Sequence, residues 1–317
     1  MATDLSKLSS GQLKTVLEEH FLFKIKKVKR LSGFYDANFS IDTDKGKRFV
    51  KVYGVDTLAS ITFQIDLIER LNKSGISVGR IVKTAGGEGY FPVLTTHGIV
   101  QTFLRGKHVD EKNINTTLLE NLGAMLGKIH HATKGKKFKG KVWKVYPWDL
   151  SQFSITAANL PSVKKYLSPE AFSMCEQVVA DWRKERTGLA RLKKGIAHND
   201  FHGRNILVER NRCVGITDFG DSMLTWYAAD IGVALMHLCF FSSRPRRNID
   251  AFLKGYSRRF QLSALERKHL PLLIRMRAYL VAVEIANQFK GTPPTMYRKF
   301  FKYAINVLKM LPENLDF

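Results

Sequence analysis

The hydrophobic rhythm of the chain changes near its first third, and that change divides it. Ser9 and Gln12 fit a capping box, and Leu13, Val16, Leu17 and the His20-Phe21 pair follow at helical spacing, which predicts a first helix. From Lys24 to Tyr53 the pattern turns to strands. Phe39-Ser40-Ile41 and Phe49 to Tyr53 flank Asp44-Lys45-Gly46, the residues of a hairpin turn. Leu58, Ile61, Ile65, Ile68 and Leu71 then fall on one face of a helix over Leu58 to Lys73. Two further strands are predicted near Val93-Leu94 and over Ile99 to Phe103. After Arg105-Gly106 helical periods take over, at Leu118 to His131, Pro169 to Arg186 and most of Asp230 to Leu311. Two short apolar runs interrupt them, Ile206-Leu207-Val208 and Val214-Gly215-Ile216, and read as a hairpin. No internal repeat or low-complexity linker is visible. The expectation is an α+β chain with a β-rich N-terminal lobe at 1–105 and a helical lobe at 106–317.

Composition adds bounds. A chain of 317 residues, 44% hydrophobic, can bury a sizeable core. No stretch is long and apolar enough to cross a bilayer, and the polar start (MATDLSKLSSGQ) is unlike a signal peptide. Cys175, Cys213 and Cys239 are far apart and outside metal spacing, which points to a reducing cytoplasm. Lys and Arg number 51 against 28 acids, a formal net charge of +23, and such a field attracts anions. The densest patch, Lys134 to Lys144 (KGKKFKGKVWK), reads first as a solvated loop and second as a surface for nucleic acid or another acidic partner.

The candidate chemistry lies in HNDFHGRN at 198–205 and TDFGD at 217–221. An Asp followed five residues later by Asn, then by a second Asp opening Asp-Phe-Gly, is what phosphoryl transfer from ATP requires. Asp200 is the expected base, accepting the proton of an attacking hydroxyl, and Asn205 and Asp218 are the expected Mg2+ ligands, offering the hard oxygens that cation prefers. His198 would orient the loop, and His202 is open to either role. Lys51, on a predicted strand, would reach the α- and β-phosphates. Its carboxylate partner is expected from the following helix, where Asp66 and Glu69 share a face. Gly33 in LSGFYDANF (31–39) permits close backbone approach, and exposed amides of that loop, with Asn38, would cradle phosphate. Backbone groups of Thr102 and Leu104 would meet the adenine edge. Asp221 would face the site just after the second metal ligand; Asp230, ahead of an apolar helix, reads as a cap.

With these residues in place, the chain resembles the aminoglycoside phosphotransferase and choline kinase superfamily. HNDFHGRNIL is similar to that superfamily's His-Gly-Asp-x-His-x-x-Asn signature, with Asn199 for the usual Gly and Arg204 for a small residue. TDFGDS followed by AADIGVAL is similar to its second-aspartate segment. LSGFYDANF, FQIDLIERLNKSGISV, FLRG and FLKGYSRRFQLSALERKHLPLLIRMRA resemble type II homoserine kinases, while the Lys51 strand and DFGDS look more like general members, hydroxylysine kinases included. The resemblance implies a protein-kinase-like fold with ATP between its lobes, ATP and Mg2+ as cofactors, and a small hydroxyl-bearing acceptor.

Charge narrows the acceptor. From Ile231 to the end there are five acids (Asp250, Glu266, Glu284, Glu313, Asp316) against fifteen Lys and Arg. A polycationic aminoglycoside needs carboxylates in the acceptor wall, whereas an amino acid needs a guanidinium for its carboxylate. Arg275 and Arg277 are the candidates, with Asp221, for substrate contact. The expected activity is phosphorylation of an amino acid or amino alcohol. An aminoglycoside, hydroxylysine or choline-type acceptor is the alternative, and a basic nucleotide-binding scaffold a third reading.

Overall fold

The computed structural model describes residues 3–33, 35–142, 146–242 and 244–311. The chain forms two compact units. The first comprises Met1–Lys107 together with two short returns, Lys136–Val142 and Val214–Thr217; the second holds the rest.

In the first unit, α1 (Ser10–His20) starts at the expected reciprocal capping box between Ser9 and Gln12 and buries Leu13 and Leu17. Five strands follow in an antiparallel sheet ordered β1-β2-β3-β5-β4: β1 (Ile25–Leu31), β2 (Ala37–Thr43), β3 (Gly46–Val52), β4 (Phe91–Val93) and β5 (Thr96–Thr102). Thr43 pairs with Gly46 across the two-residue turn Asp44-Lys45, and the left-handed φ of 91° at Gly46 is what the glycine supplies. Phe39, Ile41, Val50, Val52, Phe91 and Val100 form the core on one sheet face with α1. On the other lies α2 (Leu58–Lys73), where Ile61 and Ile65 meet Tyr53 and Ile99. Leu58, expected on the buried face, is exposed; it is the first residue of the helix, just after the Thr57 cap.

The two returns complete this unit. Lys139 donates its amide to Asp66 (3.0 Å) and Lys141 donates to the Ala59 carbonyl (3.0 Å), while Phe138 packs on the Phe63 ring and under the Arg70 guanidinium. The aromatic of the basic patch is therefore spent on α2. Its lysines at 134, 136, 137 and 139 are exposed, and Trp143 and Lys144 lie outside the described residues. The other return bridges Val78 to Ile216.

Past the two-residue strand β6 (Lys107–His108), the second unit is helical. Its α3 (Thr116–Thr133) begins at the Asn115 cap, and α4 (Phe153–Ala157) and α5 (Leu160–Val163) are short turns that the sequence did not announce. After α6 (Pro169–Ala190) come β7 (Lys194–Ala197), β8 (Ile206–Glu209), β9 (Arg212–Ile216) and β10 (Met223–Trp226); β7 and β10 pair antiparallel, with Ala197 opposite Met223. Arg210 and Asn211, both at positive φ, make the predicted turn between β8 and β9. Helix α7 (Tyr227–Cys239) is buried along its whole length, and α8 (Pro245–Ser257), α9 (Ala264–Phe289) and α10 (Thr295–Met310) surround it. The α3–α8 crossing is backbone-close: a Cβ on Gly123 would sit 2.0 Å from the Phe252 carbonyl oxygen, and one on Gly255 would sit 1.9 Å from that of Glu120. Among the described residues no helix is long and apolar enough to cross a membrane. Cys175 and Cys239 are buried free thiols, and Cys213 is half-buried.

Candidate active site

The loop that leaves β7 carries most of the predicted chemistry. Its first turn is held from below by Asp230. That carboxylate is fully buried and accepts the His198 amide on Oδ2 (2.9 Å) and the Asn199 amide on Oδ1 (2.8 Å). His130 Nε2 also donates to Oδ2 (2.8 Å), and the Tyr256 hydroxyl in turn donates to His130 Nδ1 (2.8 Å). Asp230 is structural, as expected, but not as a cap: α7 starts three residues earlier, and its N-cap is Trp226. Asn199 takes φ 63°, in the left-handed region that glycine favours and asparagine tolerates best among residues with a side chain. That geometry accounts for Asn where the family resemblance expects Gly. His198 is buried, and its Nδ1 accepts the Asp200 amide (3.3 Å), the orienting role predicted for it.

Asp200 is thereby presented with both carboxylate oxygens engaged. Asn205 Nδ2 donates to Oδ2 (2.8 Å) and to the Asp200 carbonyl (3.0 Å). His202 Nε2 lies 3.1 Å from Oδ2, and its Nδ1 accepts the Arg204 amide, so the ring donates from Nε2. Arg277 Nη2 reaches Oδ1 at 3.1 Å. Burial alone raises the Asp200 pKa, but the neighbouring His202 and Arg277 overcome it and hold the carboxyl far below the usual range.

With Nδ2 committed to Asp200, the remaining side-chain atom of Asn205 is its amide Oδ1, the hard oxygen type a divalent cation takes. Asp218, just past β9, takes φ 57°, and its Oδ1 accepts the Gly220 amide (3.3 Å). These donors fit a hard divalent ion that completes its shell with phosphate oxygens and water, as Mg2+ does. Among the described residues no cluster of three or more His, Cys, Asp and Glu forms a self-sufficient metal cage. Asp221 accepts the Tyr146 hydroxyl at 2.6 Å. Burial, and then the Asp200 charge, push its carboxyl up to about 7 against that hydrogen bond.

The two candidate arginines part company. Both sit on α9, two residues apart, so their side chains leave the helix about 200° apart. Arg277 is buried at 4% exposure, lies 5.0 Å over the Trp148 ring and faces Asp200. Arg275 pairs instead with Asp181 of α6 and is not brought to the loop.

In the first unit, Lys51 on β3 stands opposite Asn38 on β2. Its Nζ lies 2.9 Å from Asp36 Oδ2, and Asp36 Oδ1 accepts the Gly54 amide (3.1 Å). The expectation of a helix carboxylate is corrected here. Glu69 pairs with Lys83 (2.7 Å), Asp66 binds the Lys139 amide, and the polar residues buried on α2 are Ser60 and Gln64, of which Gln64 accepts the Tyr53 hydroxyl (3.0 Å). The acid beside Lys51 comes from the loop before β2. Gly33 is required in that loop, since a Cβ there would meet the Asp36 carbonyl oxygen at 2.1 Å. Asn38 Nδ2 ties the same loop to the Ser32 carbonyl (3.1 Å). Thr102 ends β5 with its amide given to the Arg80 carbonyl (2.9 Å), and Leu104 lies two residues beyond it.

Sequence reasoning missed Asp36, His130, Tyr146 and Trp148. Each lies at least 15 residues from the group it serves, and only Asp36 stands in a segment the sequence singled out, the 31–39 loop.

Comparison with known proteins agrees with this architecture. The family model described as "Phosphotransferase enzyme family" matches residues 27–270. A homoserine kinase of Pseudomonas aeruginosa is 26% identical over 267 residues, covering 82% of this chain and 81% of its own. A hydroxylysine kinase of Mus musculus is 23% identical over 302 residues, covering 85% and 79%. Among solved structures, an amicoumacin kinase in complex with AMP-PNP, Ca2+ and Ami superposes with a TM-score of 0.76 at 18% identity, covering 98% of this chain and 97% of that one. The fold is the kinase-like α+β fold expected, and with the match extending over most of its length the chain belongs to the phosphotransferase enzyme family, as a small-molecule kinase.

Proposed function

We propose that this kinase transfers the γ-phosphoryl group of ATP to the hydroxyl of a small amino acid or amino alcohol, homoserine-like in size. The observation that carries the proposal is the state of Asp200: ionised, immobilised from both sides, and presented by a loop that a buried carboxylate holds in register. The acceptor oxygen attacks the γ-phosphorus, the bond from phosphorus to the β,γ-bridging oxygen breaks, ADP leaves, and the hydroxyl proton passes to Asp200. A carboxylate with so low a pKa is a weak base, so its main work is to align the hydroxyl and take the proton late in the transfer. Lys51 would bind the α- and β-phosphates, and the Gly33 loop with Asn38 would cover them. Thr102 and Leu104 would meet the base. Asn205 and Asp218 would hold a divalent cation, Mg2+ in this reading, which supplies charge neutralisation on the phosphates when bound.

The buried free thiols of Cys175 and Cys239 suit a reducing cytoplasm as the site of action. The test is a screen of purified protein with Mg-ATP against homoserine, hydroxylysine, 3-aminopropanol, choline and an aminoglycoside, with the phosphorylated product identified by mass spectrometry. Turnover of a hydroxy amino acid or amino alcohol is expected; turnover of the aminoglycoside alone would overturn the acceptor class.

A further inference from the structure

Arg277 is an odd neighbour for a catalytic carboxylate. Only Nη2 is spent on Asp200, while Nε and Nη1 are buried without a hydrogen-bond partner among the described residues. A guanidinium presents its N–H groups as a rigid fork, and Trp148 beneath it fixes the plane of that fork. Buried N–H groups without acceptors are costly, and a planar anion can take one of them together with the second Nη2 hydrogen in two parallel bonds. Close by stands the complementary charge. Asp221 accepts the hydroxyl of Tyr146 on Oδ1 (2.6 Å), two residues from the Trp148 that lies under Arg277, and among the described residues no cation is paired with it.

We propose that Arg277 and Asp221 hold the two charged ends of a zwitterionic acceptor, the guanidinium taking the α-carboxylate and Asp221 the α-ammonium, so that the enzyme selects hydroxy amino acids over amino alcohols. This rests on the kinase reading above and deepens it. An amino alcohol leaves the Arg277 fork unsatisfied. A polycation meets a guanidinium beside the base, which charge mismatch disfavours. A hydroxy amino acid satisfies both residues at once, and its side-chain hydroxyl is the group left to face Asp200.

The test compares homoserine with 3-aminopropanol, which lacks the carboxylate, in the wild-type enzyme and in Arg277→Met and Asp221→Asn. Losing the ion pair to Asp200 lowers kcat on both acceptors alike, so the readouts are the KM ratio and calorimetric binding of each acceptor without nucleotide. Arg277→Met is expected to weaken homoserine about 10–100-fold, the worth of one or two charge-assisted hydrogen bonds, and to leave 3-aminopropanol within about threefold. Asp221→Asn is expected to weaken both, because both carry the ammonium. Equal weakening of the two acceptors by Arg277→Met, or an effect confined to the KM for ATP, would assign the guanidinium to the transferred phosphoryl group and overturn the proposal. Wild-type preference for 3-aminopropanol would overturn it too, while leaving the kinase reading intact. Absence of turnover with every acceptor would count against the kinase reading itself, and homoserine binding lost in Arg277→Met would still support the clamp.

Discussion

Replacing Asp230 tests how the catalytic loop is held. Its Oδ2 accepts the His198 amide and His130 Nε2, and its Oδ1 accepts the Asn199 amide, all at 2.8–2.9 Å and all buried. Asn at this position has the same shape but only one acceptor atom. With its oxygen placed where Oδ2 was, its NH2 group points at the Asn199 N–H; flipped, it points at two donors. At least one buried N–H then loses its acceptor, a cost of about 1–3 kcal/mol, and the remaining bonds lose their charge assistance. We expect Asp230→Asn to destabilise the protein by about 2–3 kcal/mol, and Asp230→Ala, which strands three donors, by about 3–5 kcal/mol. Because Asp200 follows Asn199 directly, the loosened loop should also lower kcat about 10–100-fold at unchanged KM for ATP. Urea denaturation at neutral pH and steady-state kinetics read both effects. An Asp230→Asn protein within about 0.5 kcal/mol of wild type and with wild-type kcat would refute the clamp, since that is what an uninvolved site gives.

Two further predictions concern the same loop. Asn199 holds φ 63°, and among the described residues its side chain makes only long contacts, 3.4 Å to the Trp148 carbonyl and 3.7 Å to Met223 Sδ. Asn199→Gly should therefore stay within about 1 kcal/mol of wild type, whereas the β-branched Asn199→Val should lose about 2 kcal/mol or more; equal melting temperatures for the two would show that the backbone conformation is not the constraint. Asp221 has its pKa raised from 3.8 to about 7, so the folded state binds the extra proton and stability falls as pH climbs from about 4 through 7. Asp221→Asn removes that dependence, and its stability relative to wild type should be greater at about pH 8 than at about pH 5; a pH-independent difference would contradict the assignment.

Much of this was legible because local physics announces it. The capping box at Ser9 and Gln12 and the Asp44-Lys45-Gly46 turn are local signals, and each appears where it was read. The Asp200–Asn205 pairing was readable for the same reason, five residues in one loop. What stayed hidden depends on groups the fold brings together from afar. Asp230 meets His198 across 32 residues and His130 across 100. The periodicity of α2 identified an apolar stripe but could not say that Gln64, rather than an acid, would lie inward, nor that Asp36 would cross from the preceding loop to Lys51. Arg275 and Arg277 look equivalent as residues in a basic stretch; only the helical step of α9 and the position of Asp181 separate them. The Lys134 to Lys144 run reads as a free basic loop until Phe138 is seen against Phe63.

The central claim is that Asp200 takes the acceptor's proton in ATP-dependent phosphorylation. The most direct measurement compares wild type and Asp200→Ala for product formed from Mg-ATP and a hydroxy amino acid, alongside nucleotide affinity. The account predicts that turnover falls about 10²–10⁴-fold while nucleotide binding changes little. Turnover persisting near the wild-type rate in Asp200→Ala would contradict it.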